Sequence, residues 1–255
     1  MDTLLEVSHV CYAYHMLSGE TPALSDITFS VEEGEFLAIV GPSGCGKSTL
    51  LSLLAGLMEP EEGFIRIRSP RSSVSQADIG YMLQKDHLFE WRTVYRNVIL
   101  GLEIQKRMTP ENLEHVEKML RDYGLSAFKN ARPSELSGGM RQRAALIRTL
   151  ALDPSLLLLD EPFSALDYQT RLSVCDDVCQ IIKKEKKTAI LVTHDLSEAI
   201  SMADRILILS KRPAAIRRIM QIRFREPGLT PMKRRQASEF KDYFNEIWKE
   251  LNGNG

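Results

Sequence analysis

Apolar positions along this chain follow two periods in turn, and the alternation predicts an α/β protein. The run Phe36-Leu37-Ala38-Ile39-Val40 reads as a strand, and it is followed by Leu50, Leu53, Leu54 and Leu57 at helical spacing. Strands are predicted over 4–10 and 24–31, with Gly19-Glu20-Thr21-Pro22 as the turn between them. Tyr12 and Tyr14 fall on the short segment joining those strands. Glu32-Glu33-Gly34-Glu35 and Glu59-Pro60-Glu61-Glu62-Gly63 read as turns, Phe64-Ile65-Arg66-Ile67-Arg68 as a half-exposed strand, and 69–76 as a polar surface loop. Ile79-Gly80-Tyr81-Met82-Leu83 is a further short strand ending at Gln84.

From 85 to 155 the pattern turns helical. Leu113, Val116 and Leu120 define one amphipathic face, with Pro110 at its start, where a missing N–H costs nothing. A second helix is predicted from Ser137 through Arg148, with Ala144, Ile147 and Ala151 on one face. Strand character returns in Leu156-Leu157-Leu158-Leu159, a run apolar on both faces as in a buried parallel sheet. A helix over 168–185, a strand over 188–193, a short helix and a strand over 205–209 complete the alternation. The expected fold is a parallel α/β sheet with a helical insertion. The tail reads as a strand pair over 214–224, then Pro227-Gly228 and Pro231, then a helix with Phe240, Tyr243, Phe244, Ile247 and Leu251 on one face. No internal repeat or low-complexity segment interrupts the pattern.

Composition narrows the function classes. The 255 residues are 44% hydrophobic and 26% charged, with a net charge of −1. That balance fits an ordinary globular protein and provides no global field toward nucleic acid. No stretch approaches the roughly 18 apolar residues that span a bilayer, and the N-terminus lacks a signal-peptide pattern. Any membrane role is therefore expected to come through a partner. Basic residues do concentrate in the tail, at Lys211, Arg212, Arg217, Arg218, Arg223, Arg225, Lys233, Arg234 and Arg235. Both a solvated surface and a surface near anionic lipid fit that cluster. Of the four cysteines, Cys175 and Cys179 share an apolar stripe with Leu172 and Ile182, so they read as buried thiols rather than metal ligands. The cysteine usage, Cys11 included, is that of a reducing compartment.

The candidate chemistry centres on Gly41-Pro42-Ser43-Gly44-Cys45-Gly46-Lys47-Ser48-Thr49. It matches the phosphate-binding loop G-x-x-x-x-G-K-[ST] at every fixed position and sits in the strand–turn–helix context the motif requires. Glycines let successive N–H groups point inward at phosphate oxygens, and the helix N-terminus adds roughly half a positive charge. Lys47 is placed for the β- and γ-phosphates, and the Ser48 hydroxyl for Mg²⁺. The apolar strand ending in Asp160-Glu161 adds a Walker B pattern, an acidic pair at the carboxyl end of a sheet strand. Asp160 is placed to hold Mg²⁺ and Glu161 to polarise an attacking water.

Leu136-Ser137-Gly138-Gly139-Met140-Arg141-Gln142-Arg143 resembles the signature of ATP-binding cassette (ABC) ATPases. The resemblance runs over about 4–225. It implies a P-loop NTPase (RecA-like) core with an N-terminal antiparallel β-subdomain and an inserted α-helical subdomain. The implied boundaries are 1–84 and 156–225 for the core with its β-subdomain, 85–155 for the helical subdomain, and 226–255 for a helical tail. It also implies ATP and Mg²⁺ as cofactors, and a head-to-tail pair of cassettes in which Ser137, Gly138 and Gly139 bind the γ-phosphate on the partner's loop. By the same resemblance Tyr14, or failing that Tyr12, stacks on adenine, and Gln84 is the Q-loop glutamine contacting Mg²⁺ and the attacking water. Ser164-Ala165-Leu166-Asp167 resembles the D-loop, which places Asp167 at the opposite site, and His194 resembles the switch histidine at the γ-phosphate.

Two features point to a subfamily. Met140 replaces the usual signature glutamine, as in importers resembling the nitrate, sulfonate and taurine systems. Leu88-Phe89-Glu90-Trp91-Arg92-Thr93-Val94 resembles a stretch of the same group, with Glu90 in place of proline. The resemblance thus implies the ATPase subunit of an importer, at the cytoplasmic face of a cell membrane, with permease subunits and an extracytoplasmic binding protein as partners and no nucleic acid. An exporter subunit and a soluble cassette ATPase are the alternatives. Cys45 is expected to be exposed within the loop, so that alkylation blocks hydrolysis and Mg-ATP protects.

Overall fold

The computed structural model of the chain describes residues 2–17, 19–68 and 79–253. Among these residues the strands form two sheets. The first is antiparallel, with β1 (Thr3–Met16) between β2 (Gly19–Glu32) and β4 (Glu62–Ile67). The second joins β3 (Phe36–Val40), β5 (Ile79–Met82), β6 (Leu156–Asp160), β7 (Thr188–Val192), β8 (Arg205–Leu209) and β9 (Ile216–Gln221) in the order β5-β6-β7-β3-β8-β9. Its first five strands in that order run parallel, and β9 is antiparallel to β8.

Successive residues of a strand face opposite sides, so a strand buried on both sides must be apolar throughout. Leu156, Leu158, Leu37, Ile39, Ile190 and Val192 enter one core, with α1 (Lys47–Leu54) and the inner face of the antiparallel sheet. Leu157, Leu159, Ala38, Val40, Ala189 and Leu191 enter the other. That second core also takes the helices α2 (Val94–Val98), α3 (Leu100–Ile104), α4 (Pro110–Asp122), α5 (Gly138–Leu150), α6 (Tyr168–Lys184) and α7 (Leu196–Met202). A single-turn helix, α8 (Pro231–Arg234), and a long one, α9 (Ser238–Asn252), follow β9. Ile247 of α9 is fully buried in the second core, so this helix is part of the packed body. Cys175 and Cys179 are buried in that core, as the stripe predicts.

Four expectations are corrected. The first two strands run much longer than 4–10 and 24–31, and 19–22 is strand rather than turn: Tyr14 pairs with Thr21 and Ala13 with Pro22. Pro22 is tolerated because β2 is an edge strand of its sheet. Tyr12 and Tyr14 therefore stand on a strand rather than on a connecting segment. Leu57 does not continue the helical stripe, since α1 ends at Leu54 and Gly56 at φ +67° turns the chain outward, leaving Leu57 exposed. The tail holds one strand rather than a pair: β9 adds to the main sheet, and Ala214 makes only a single bridge, to Leu24. The loop expected over 69–76 lies outside the described residues. Part of the basic tail is engaged with the chain itself. Arg218 pairs with Glu246, Arg225 with Glu239, and Arg234 donates to the carbonyl of Ala203.

Candidate functional site

Strand register assembles the candidate residues at one edge of the parallel sheet. Val192 is level with Asp160 on one side and with Ile39 on the other. Glu161, Thr193-His194 and Gly41 therefore leave their strands side by side. Met82 is level with Leu159, which brings Gln84 to the same edge. The carboxyl edge of an open α/β sheet is where such folds bind ligands.

The loop 41–49 wraps around the Lys47 ammonium. Its Nζ donates to the carbonyl oxygens of Gly41 and Pro42, each at 2.9 Å, and the side chain is buried. Gly46 sits at φ +123°, and a Cβ there would come within 3.0 Å of Leu24 and 3.1 Å of the Ala23 carbonyl, so both angle and space require glycine. Ser48 Oγ donates to Asp160 Oδ1 at 3.3 Å, and the Tyr81 hydroxyl donates to Asp160 Oδ2 at 3.4 Å. Burial pushes the Asp160 carboxyl above its ordinary pKa, against the opposing pull of the Ser48 hydrogen bond. Burial, with the Asp160 charge beside it, likewise pushes the Tyr81 phenol up to about 12.

Glu161 adopts φ +46°, a strained value for a residue with a side chain. Its N–H donates to the Val192 carbonyl at 2.9 Å, and its own carbonyl accepts from Ser164 Oγ at 3.0 Å. These bonds hold the strained backbone and aim the carboxylate at His194, whose Nδ1 lies 3.0 Å from Glu161 Oε2. Gln84 Nε2 donates to the same Ser164 hydroxyl at 3.2 Å, so Ser164 bridges Gln84 to Glu161.

A cleft of about 620 Å³ is lined by Tyr14, Ala23, Ser43, Gly44, Gly46, Lys47, Ser48, Thr49, Glu161, His194 and Arg212. Its size lies in the range of small-molecule sites. The Tyr14 hydroxyl hydrogen-bonds Thr49 Oγ1 at 2.9 Å, tying the predicted base-stacking ring to the loop. Tyr12 meets Tyr14 edge-on, 5.1 Å between centroids, and does not line the cleft.

Other predicted residues lie apart from this cleft. Ser137 caps α5, accepting from the Met140 N–H at 3.4 Å, and Asp167 caps α6, accepting from the Thr170 N–H at 3.1 Å. Ser137 and Gly138 are exposed, whereas Gly139 is buried: a Cβ there would lie 2.8 Å from Val174, so tight packing against α6 already demands that glycine. Arg141, two residues on, pairs with both Asp86 and Glu90. Burial alone would raise the Asp86 carboxyl, but hydrogen bonds from Arg141 and the Leu88 amide outweigh it and hold the pKa below the ordinary carboxylate value. Arg148 donates to the carbonyls of Asp86 and His87, both at 2.7 Å. The segment after Gln84 is thereby stapled to the helix that begins at the signature. Trp91 on that segment is 74% exposed, its ring 4.6 Å from that of Phe89.

Cys45 corrects an expectation. It is 1% exposed, and burial pushes its thiol pKa up against the nearby Lys47 charge. Thiolate is the reactive form, so such a thiol is slow. In the native protein at neutral pH, iodoacetamide is expected to modify the partly exposed Cys11 well before Cys45, as read by peptide mass spectrometry. Labelling of Cys45 at the rate of an unfolded cysteine would contradict this.

Sequence reading alone missed Arg212 and Tyr81. Tyr81 reads as one position of a short strand, and Arg212 as one more basic residue of the tail. Only folding brings them to Asp160 and Tyr14.

A family model described as ABC transporter matches residues 24–164. An uncharacterised ABC transporter ATP-binding protein of Bacillus subtilis is 48% identical over 98% of this chain and 96% of its own length. A nitrate import ATP-binding protein of Synechocystis is 39% identical over 98% of this chain and 95% of its own. Among solved structures, the dimeric post-hydrolysis state of the ATP-binding cassette MJ0796, bound to ADP and phosphate, has a TM-score of 0.71 at 30% identity, covering 87% of this chain and all of that one. The chain belongs to the ABC transporter family, as one of its ATP-binding, ATP-hydrolysing subunits.

Proposed function

We propose that the chain powers an importer of a small solute, of the kind that includes nitrate, sulfonates and taurine. Two copies would bind ATP between them and act at the cytoplasmic face of a membrane on separate permease subunits, with an extracytoplasmic binding protein delivering the solute. The observation that carries the hydrolytic part is the Glu161–His194 pair at 3.0 Å, held across the cleft that Lys47 lines. The importer part rests on the 39% identity to a nitrate import subunit along nearly its full length. It also rests on the exposed Trp91, whose segment resembles that group's pattern apart from Glu90 in place of proline. Among the described residues no helix is long and apolar enough to cross a membrane, so coupling would run through partners.

In this reading Tyr14 takes the adenine, and the amides of 41–49 with Lys47 take the β- and γ-phosphates. Glu161 accepts a proton from the attacking water while His194 orients that carboxylate and faces the γ-phosphate. Gln84 moves from Ser164 to the attacking water. Ser137 and Gly138 remain exposed for the phosphate of the partner's site, and Asp167 lies at the end of the D-loop. Catalysis here is mainly positioning and charge stabilisation. The all-oxygen pair Ser48–Asp160 suits a hard cation, so Mg²⁺ fits these residues, with Gln84 as a further ligand. Bound there, it would neutralise charge on the phosphates. The proposed division is a core over 1–84 and 156–225, helices over 85–155 and a tail over 226–255, the tail packed on the core through Ile247.

Phosphate release tests the reading. With excess ATP and Mg²⁺ the purified chain is expected to release phosphate, and EDTA is expected to abolish release without unfolding the protein, as followed by circular dichroism. Co-expression with candidate permeases is expected to yield a complex with a polytopic membrane protein. Turnover that is indifferent to EDTA would remove the metal assignment, and purification with no membrane protein under any pairing would remove the transporter one.

A further inference from the structure

The Tyr14 end of the cleft carries a cation that none of the motifs accounts for. The loop after β8 crosses the edge strand β2: the Ala214 N–H donates to the Ala23 carbonyl and the Ser25 N–H to the Ala214 carbonyl, both at 2.9 Å. From this loop Arg212 Nε donates to the Pro22 carbonyl at 2.9 Å, and Nη2 reaches the Thr21 carbonyl at 3.4 Å. Thr21 is the residue paired with Tyr14 in the sheet. The guanidinium therefore passes over the strand and comes to rest 5.7 Å from the centroid of the Tyr14 ring.

Three features separate Arg212 from an ordinary surface arginine. It lines the same cleft as Lys47 and the loop glycines. Among the described residues no carboxylate lies within ion-pair distance of it, whereas Arg218, Arg225 and Arg234 of the same tail each pair with one. Its two backbone bonds fix the plane of the group and leave further N–H donors unused. A preorganised guanidinium with unshared donors beside an aromatic ring is a phosphate-recognition element.

The 5.7 Å separation selects among its possible tasks. A base slotted between ring and guanidinium would need about 7 Å, two contacts of roughly 3.5 Å. Arg212 therefore backs the Tyr14 ring and does not clamp a base against it. We propose that Arg212 is a nucleotide-recognition residue: it steadies the Tyr14 ring through a cation–π contact and offers its free N–H groups to the phosphate nearest the nucleoside. Lys47 holds the far end of the phosphate chain, so the cleft is charged at both ends. The ligand class is a nucleoside di- or triphosphate, and the inference rests on the nucleotide reading of the site given above.

The test uses full-length protein with Arg212→Gln and Arg212→Lys, titrated with ATP and with ADP at several salt concentrations. Glutamine can still donate to the Thr21 or Pro22 carbonyl but carries no charge. Arg212→Gln is expected to weaken both nucleotides about 5- to 20-fold and to flatten the dependence of affinity on salt, since one cation has left the site. Arg212→Lys is expected to weaken both nucleotides less than Arg212→Gln does and to keep the salt dependence, since the charge stays while the planar fork is lost. Unchanged affinity in Arg212→Gln overturns the proposal. So does equal weakening in both variants with the parent's salt dependence, which would mark a purely structural pin. If the parent protein itself binds no ATP, the nucleotide reading falls as well. If the parent binds and only Arg212→Gln fails to differ from it, this proposal alone falls.

Discussion

Glu161→Gln is expected to lower ATP turnover by about 10²- to 10⁴-fold, the range for loss of a general base, while ATP affinity stays within about 3-fold of the parent. The substitution is nearly isosteric and the site around it is over-determined. The strained backbone at φ +46° is held by the Val192 carbonyl and the Ser164 hydroxyl, neither of which touches the side chain. A glutamine amide can still meet His194 Nδ1 across the 3.0 Å gap, with the imidazole choosing the complementary tautomer. What disappears is the basic oxygen. In the proposed reading ground-state binding comes from elsewhere, from Lys47, the loop amides and Tyr14, so a loss confined to turnover is the signature of a group acting only in the transition state. Steady-state phosphate release set beside an equilibrium ATP titration separates the two quantities. Near-parental turnover would remove Glu161 from its role, and a large loss of ATP affinity would make it a binding residue.

The second large effect falls on binding. Lys47→Ala is expected to weaken ATP by about 10²- to 10³-fold, or roughly 3–4 kcal/mol, as a desolvated cation and its charge-assisted hydrogen bonding to the phosphates are lost. Lys47 Nζ rests on the carbonyls of Gly41 and Pro42, which hold the ammonium within the ring of loop amides. A triphosphate entering the loop meets a cation that is already placed and largely desolvated, at 7% exposure, so little ordering cost remains. The fold itself should tolerate the change. The Cys45 N–H to the Pro42 carbonyl and the Leu50 N–H to the Gly46 carbonyl keep the loop and the helix start in place without the lysine. Calorimetric titration with ATP, paired with a thermal melt, checks both halves. Parental affinity in a folded Lys47→Ala protein would contradict the phosphate-loop assignment, whereas unfolding would show that the lysine mainly supports the loop.

The two predictions draw on different information. That Lys47 belongs to a phosphate loop is legible from nine consecutive residues, because the backbone shape that cradles phosphate is set locally by glycine positions and by the helix that follows. The same holds for the buried strand Leu156–Asp160, for the Ser137 cap of α5, and for the helix carrying Cys175 and Cys179. In each, period and terminus suffice. The signature glycines show a limit of such reading. Gly138 is exposed, while Gly139 is buried against Val174, so adjacent letters of one motif answer to different constraints.

The first strands were harder to read, because hairpin length depends on cross-strand pairing rather than on local preference. Thr21 and Pro22 look like turn residues until they pair with Tyr14 and Ala13. Cys45 looks exposed in a glycine-rich loop until its sulfur packs beneath it, close to Gly41 and away from solvent. Residue types and local periods were enough to determine that this is an α/β protein with a phosphate loop, an acidic strand end and an amphipathic tail helix. Tertiary structure decided how far the strands extend, which thiol is shielded, and that Arg212 meets Tyr14 across about 200 residues of chain. The physical reason is range. Backbone angles and amphipathic faces are set by neighbours a few residues away, whereas burial, ion pairing and the lining of a cleft depend on which distant segments the sheet order brings together.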